Sequence, residues 1–229
     1  MKLPEKICCN CTSKSPLFKS LSDEELSYIS QHKIPVSYKA GETIVKQHSP
    51  LTHVISFTSG MAKVYIEGAG GKNLILHFLK PTQFLGGPGI YIDRMNHFSV
   101  TAIEDSSVCF IEIAKFKELM TRNCDFAESF IKYISNNGIF NYDRFISLTQ
   151  KNMQGRVADA LLHLHYKIFD HRDHIIKVSR YDLAEYTSMS KDSLIRILKE
   201  FTEEDLIETA NGKIKILELE KITNISQIG

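Results

Sequence analysis

The 229-residue chain has almost no net charge, 28 Lys and Arg against 27 Asp and Glu, so no global basic field marks it for nucleic acid. Any such binding has to rest on a local patch. No run of eighteen apolar residues occurs, and the stretch Met1 to Ile7 lacks an apolar segment of signal-peptide length. A soluble, cytoplasmic protein with no membrane partner is expected. Five cysteines, an odd number, fall as Cys8, Cys9 and Cys11 near the start and as Cys109 and Cys124 far downstream, which is no disulfide framework. Paired carboxylates, a glycine-rich nucleotide fingerprint and a metalloprotease motif are all missing, so no catalytic machinery is expected and the chain does not read as an enzyme. What is there, 43% hydrophobic and 24% charged residues, suffices for one or two real cores.

From Ile34 to Ile113 apolar residues recur two apart: Val64 and Ile66; Leu74, Leu76 and Phe78; Val100 and Ala102; Cys109, Ile111 and Ile113. Half-buried strands follow, separated by turn signals at Ser59-Gly60, at 68–71 and at 86–89, as in a sandwich or barrel. Ser22 followed by Asp23, Glu24 and Glu25 predicts a short helix before the sheet, with Leu26 and Ile29 on its apolar face. Between Asp125 and Met153 the period becomes helical, through Phe126, Phe130, Ile131, Ile134, Tyr142, Phe145 and Ile146. That helix, about 40 Å long, exceeds what one small core covers. Its stripe is most simply buried on a second copy, which predicts a homodimer, the other arrangement being a helix lying along its own domain. Gly138 costs about 1 kcal/mol relative to Ala and either permits close approach of two helices or marks a bend.

Residues 154–229 hold the most informative stretch. Ser179 and Asp182 open a short helix as N-cap and acidic third position, Thr187-Ser188-Met189 turns the chain, and Ser190 caps a second helix. In that helix Leu194, Ile197, Leu198 and Phe201 form one buried stripe, while Lys191, Asp192, Ile195, Arg196 and Lys199 occupy the other face. A major groove admits one helix, whose N-terminal side chains must reach base edges. Arg196 suits a bidentate contact to guanine O6 and N7, Asp192 can accept from cytosine N4, Lys191 can bond guanine or a phosphate, and Ile195 can touch a thymine methyl. Ser179, Arg180, Ser190 and Lys199 are placed to hold phosphates. Leu206 to Leu217 reads as a hairpin turning at Asn211-Gly212, which would form a wing. The bland alternative is a small packing unit that touches no DNA. Charge does not decide between them, since residues 151–229 hold 12 Lys and Arg against 13 Asp and Glu.

Over nearly its whole length the chain resembles the CRP/FNR family of bacterial transcription regulators. The resemblance rests on the β-region with Gly60 and Phe84-Leu85-Gly86, the long helix, the segment Gly155-Arg156-Val157-Ala158-Asp159-Ala160-Leu161, and Met189 to Leu198 as recognition helix. It implies an α+β protein with three parts: a cyclic-nucleotide-binding-like β-roll, jelly-roll-like, over 1–124; a dimerisation helix over 125–153; and a winged helix-turn-helix over 154–229. It further implies a regulator that reads double-stranded DNA at a palindromic promoter site and works with RNA polymerase, and it adds Ser193 to the DNA-binding set. Where the family carries Arg or a related residue, then Glu, then Arg, this chain has Lys191, Asp192 and Arg196; the shorter Asp changes reach and with it half-site preference.

The effector pocket implied by the resemblance would involve Gly86, Gly87, His97, Phe98 and, on the long helix, Asn141. In the cyclic-AMP branch a Glu holds the ribose and an Arg-Ser pair the cyclic phosphate, but Gly87 and His97-Phe98 stand at those places here, and Arg94 lies in the variable part of the loop. Without that charge-assisted pairing, high-affinity cyclic AMP binding is not expected, and the signal is expected to be a different one. The oxygen-sensing branch holds a [4Fe-4S] cluster on four thiolates, for which Cys8, Cys9, Cys11 and Cys109 are the available set, although Cys-Cys-x-Cys departs from that branch's spacing. Zinc binding and a thiol switch through Cys8 and Cys11 are the alternatives, as is a redox enzyme built on that Cys-x-x-Cys, which would need a βαβ context. Cys109 also reads as a small buried hydrophobe. His163 and His165 lie about 200° apart on a helix and cannot chelate together; these two, His171 and His174 are expected at the surface.

Overall fold

Ser22 opens the first helix, α1 (Asp23–Gln31), with a complete capping box: its hydroxyl accepts from the Glu25 N–H and the Glu25 carboxylate accepts from the Ser22 N–H. The structure, a computed structural model, describes residues 8, 11–170 and 174–229. Leu26 and Ile29 of α1 are buried, as their spacing requires. Eight strands follow: β1 (Lys33–Tyr38), β2 (Thr43–Val45), β3 (His53–Ser59), β4 (Ala62–Glu67), β5 (Asn73–Leu79), β6 (Phe84–Leu85), β7 (Ser99–Ala102) and β8 (Ser106–Glu112). They form two four-stranded sheets, ordered β1-β8-β3-β6 and β2-β7-β4-β5. Ile55, Phe57, Val64, Leu79, Val100 and Val108 belong to one buried cluster and Phe18, Leu26, Ile29, Phe84, Ile111, Phe116 and Phe126 to another. Gly60 turns β3 into β4 at φ 81°, where a Cβ would stand 2.4 Å from the Asp105 carbonyl oxygen, so only glycine fits.

Ile113, expected to continue the last strand, instead begins helix α2 (Ile113–Arg122). Phe116 and Leu119 bury one face of α2, a helical period that the two-residue alternation ending at Ile111 obscured. The long helix, α3 (Cys124–Gln150), ends three residues before the expected Met153, because Asn152 caps a new helix by accepting from the Gly155 N–H at 2.9 Å. Contacts divide the chain into two units, one of residues up to Glu67 with His77–Gly138, the other of Gly68–Leu76 with Ile139–Gly229.

The second unit continues with α4 (Met153–His163), a π turn over Leu164–Ile168, β9 (Ile175–Ile176), α5 (Arg180–Thr187), α6 (Lys191–Glu203), β10 (Ile207–Ala210), β11 (Lys213–Ile216) and α7 (Leu219–Ile228). β10 and β11 pair antiparallel around Asn211 and Gly212, both at positive φ, and β9 adds a third strand to β11. Val157, Leu161, Leu164, Leu183, Leu194, Ile197, Ile214 and Ile222 are buried almost completely. No helix among the described residues is long and apolar enough to cross a membrane.

Candidate nucleic-acid interface

Two N-caps set the helix pair. The Ser179 hydroxyl accepts from the Asp182 N–H at 3.0 Å at the start of α5, and the Ser190 hydroxyl accepts from the Ser193 N–H at 3.1 Å at the start of α6. Between the helices Ser188 takes the left-handed conformation, φ 53°, so the turn occupies only Ser188 to Ser190. On α6, Leu194, Ile197, Leu198 and Phe201 are all at most 4% exposed. Each such burial contributes about 1.5–3 kcal/mol and fixes the helix's rotation about its axis. The opposite face then presents Lys191, Asp192, Ile195, Arg196 and Lys199 to solvent, with Ser193 half-buried. Lys199 pairs with Glu203 at 3.5 Å, both exposed, an ion pair that a stronger anion can displace at small cost.

Arg180 stands apart from this exposed group. It is half-buried at the first position of α5, burial lowers its pKa, and its Nη1 is buried with no hydrogen-bond partner among the described residues. Two kinds of exposed side chain escaped the sequence reading: Tyr181 beside Arg180, and Lys213 and Lys215 on the β10–β11 hairpin. The alternation in Lys213-Ile214-Lys215-Ile216 is the signal that would have pointed to the lysines, since Ile214 and Ile216 face inward.

In the β-roll, Gly87 and Phe98 lie together: a Cβ on residue 87 would stand 3.0 Å from the Phe98 ring. Phe98 packs on the core cluster between strands, and His97 is exposed, bonding Asp93. Ser99, fully buried, donates to Glu67 at 2.6 Å, and Lys46 pairs with the same carboxylate at 2.6 Å. That cation holds Glu67 below the usual carboxylate range. At the places where the cyclic-AMP branch carries Arg and Ser, this chain therefore presents an exposed imidazole and a half-buried phenyl ring. Gly86 packs against Phe84, Ile90 and Phe130, and Asn141 is exposed on α3.

Cys9 lies outside the described residues. Lys33 places its ammonium 3.3 Å from the Cys8 sulfur, and the Cys11 N–H bonds the Cys8 carbonyl at 3.3 Å. Cys109 is half-buried on β8, and burial pushes its thiol up. Among the described residues no three His, Cys, Asp or Glu side chains meet in a way that could hold a metal ion, so Cys8, Cys11 and Cys109 do not by themselves fit an iron–sulfur or zinc site. Cys8 and Cys11 precede a short helix and a β-roll, without the βαβ context of a thioredoxin-type enzyme. The histidines depart from expectation: His165 is 1% exposed and stacks on His174 at 4.8 Å, and His163 bonds Tyr186. His163 ends α4 and His165 belongs to the π turn that follows it. His174 is exposed as expected, and His171 lies outside the described residues.

Two family models fall on the chain in tandem, a cyclic nucleotide-binding domain over residues 35–123 and a Crp-like helix-turn-helix domain over residues 155–225. The chain is 23% identical to the transcriptional activator protein anr of Pseudomonas aeruginosa, over 94% of this chain and 91% of that protein. It is 25% identical to the cAMP-activated global transcriptional regulator CRP of Salmonella typhimurium, over 86% of this chain and 95% of that protein. The solved structure of a crp/fnr-family transcriptional regulator from Eubacterium rectale matches with a TM-score of 0.76 at 20% identity, covering 93% of this chain and 98% of that one, a likeness of fold. A β-roll followed by a long helix and a winged helix-turn-helix, matched in that order along the chain, makes this protein a member of the CRP/FNR family of transcription regulators.

Proposed function

We propose that the chain acts as a homodimeric, cytoplasmic, sequence-specific DNA-binding regulator that reads a palindromic promoter site and works with RNA polymerase. The observation that carries this reading is the face of α6: Lys191, Asp192, Ile195 and Arg196 exposed together over a fully buried back. Arg196 reads guanine, Asp192 accepts from cytosine, and Ile195 meets a thymine methyl. Ser179, Arg180, Ser190 and Lys199 hold the phosphates, with Ser193 beside them in the DNA-binding set. Dimerisation is supported by α3, where Ile131, Ile139, Tyr142, Phe145 and Ile146 are 49–66% exposed along one stripe, and Gly138 sits one heptad from both Ile131 and Phe145 with open space over its Cβ position. Enrichment of bound duplexes from a random library tests the reading. The expected product is a two-fold symmetric sequence with half-sites about one helical turn apart; a library that enriches no sequence overturns it.

The signal we assign to the β-roll is one other than cyclic AMP, supported by Phe98 against Gly87. One observation favours a thiol signal: the Lys33 ammonium beside Cys8, with Cys11 one turn away. Peroxide would take two electrons from the Cys8 and Cys11 thiols, joining the sulfurs and leaving as two waters. A free-thiol count that falls by two after peroxide, and stays level in Cys8→Ser, is the expected result; an unchanged count in the parent overturns it.

A further inference from the structure

Three helices of the second unit meet on Tyr186. This residue stands next to the end of α5, and its side chain is completely buried. From α3, Arg144 lays its guanidinium carbon 3.9 Å from the Tyr186 ring centroid and donates from Nη2 to the Tyr186 carbonyl oxygen at 2.5 Å. That carbonyl is one of the four at the end of α5 with no partner inside the helix, and a cation there also complements the helix dipole. From α4, Nδ1 of His163 shares a 2.9 Å hydrogen bond with the Tyr186 hydroxyl, and Phe140 of α3 packs on the His163 ring at 5.1 Å between centroids. Burial pushes the Tyr186 hydroxyl up to about 12, which keeps it protonated. Asp159 of α4 bears electrostatically on both Arg144 and Tyr186.

Tyr186 is separated from α6 by Thr187 and a short turn whose one left-handed residue, Ser188, is held by hydrogen bonds to the Ala184 carbonyl from its own N–H and from Met189. The direction of α5 therefore sets the direction of α6. We infer that Arg144 and His163 are positioning residues for operator binding, which through Tyr186 fix the angle between the last turns of the long helix and the recognition helix. The inference rests on the proposed reading of a dimer that spans two half-sites. In such a dimer the two recognition helices must stand about 34 Å apart, so an error of angle at Tyr186 becomes an error of spacing. A single half-site does not register that error.

The test uses the full chain, as Arg144→Ala, Arg144→Lys and Tyr186→Phe, titrated by gel shift against the enriched palindrome, palindromes with half-sites moved one base pair in or out, and a duplex with one half-site. Sedimentation measures dimerisation in parallel. Arg144→Ala is expected to weaken palindrome binding about tenfold, to flatten the preference for one spacing, and to leave half-site affinity and dimerisation unchanged. Arg144→Lys keeps the charge and the donor to the carbonyl but not the planar face, so it restores part of the loss; Tyr186→Phe keeps the face and loses the His163 bond, and falls in between. Equal losses on half-site and palindrome, or an unchanged spacing preference, overturn the inference, because the contacts are then local packing. If the alanine variant does not fold, the other two carry the same measurement, and failure of all three to fold overturns it as well. A parent chain that enriches no sequence overturns the reading of function and this inference with it, an outcome distinct from a loss confined to the variants.

Discussion

Gly87 and Phe98 are in contact across the loop that precedes β7, a Cβ at position 87 falling 3.0 Å from the Phe98 ring. The ring packs on the core cluster, and the buried hydroxyl of the next residue, Ser99, is already spent on Glu67. A cyclic phosphate entering here would lose its water without gaining a guanidinium. Titration calorimetry with cyclic AMP is therefore expected to give no saturable heat at micromolar concentrations, and a clear saturating isotherm would refute the argument.

Arg196 stands on the exposed face of α6, one turn beyond Asp192. Replacing it with alanine is expected to lower affinity for the enriched operator by about 1–3 kcal/mol and to relax base preference at one position in each half-site. Away from that site the unit offers little, since its formal charge is slightly negative, 12 basic against 13 acidic residues over 151–229. Non-specific binding should thus be modest and fall steeply with salt. Unchanged operator titration curves for Arg196→Ala would remove the residue from the reading set.

These assignments could be read from sequence because each depends on neighbours in the chain. The stripe Leu194, Ile197, Leu198 and Phe201, the Ser190 cap and the Asn211-Gly212 turn are local patterns, and the structure has all three. What could not be read is what distant segments decide. β9 is two residues long, too short for any periodicity, and exists because Ile175 and Ile176 pair with β11. Arg144 looks like one more polar residue of a long helix until Tyr186, forty-odd residues on, arrives beneath it. The helix α7 escaped notice because its one fully buried residue, Ile222, makes no repeating stripe by itself.

The exposed stripe of α3 offers a direct test of assembly. Phe145→Asp places a carboxylate near the C-terminal end of the proposed helix pair, where it would be buried without a partner. Dimerisation is expected to weaken by at least about a hundredfold, given that an unpaired buried charge costs several kcal/mol. Equilibrium sedimentation reads the change directly. Phe145 is 61% exposed in the single chain, so the monomer's fold should survive and its circular dichroism should match the parent. A variant that sediments as the parent does would place the interface elsewhere.

His77, on β5, is enclosed by protein on most sides, and burial pulls its imidazole down to about 4 from an ordinary value near 6.5. Between those two values the unfolded chain binds a proton that the folded chain does not, so stability rises with pH across the window. The native state carries no penalty from this residue above pH 6.5, and loses stability as the pH falls toward 4. The full shift corresponds to about 3 kcal/mol, reduced by screening where the ring still meets solvent. His77→Gln removes the titrating group. Denaturant titrations of both proteins at several pH values should show the variant gaining about 2–3 kcal/mol relative to the parent on going from pH 7 to pH 4. A stability difference that stays constant over that range would mean that the imidazole is not held neutral by burial.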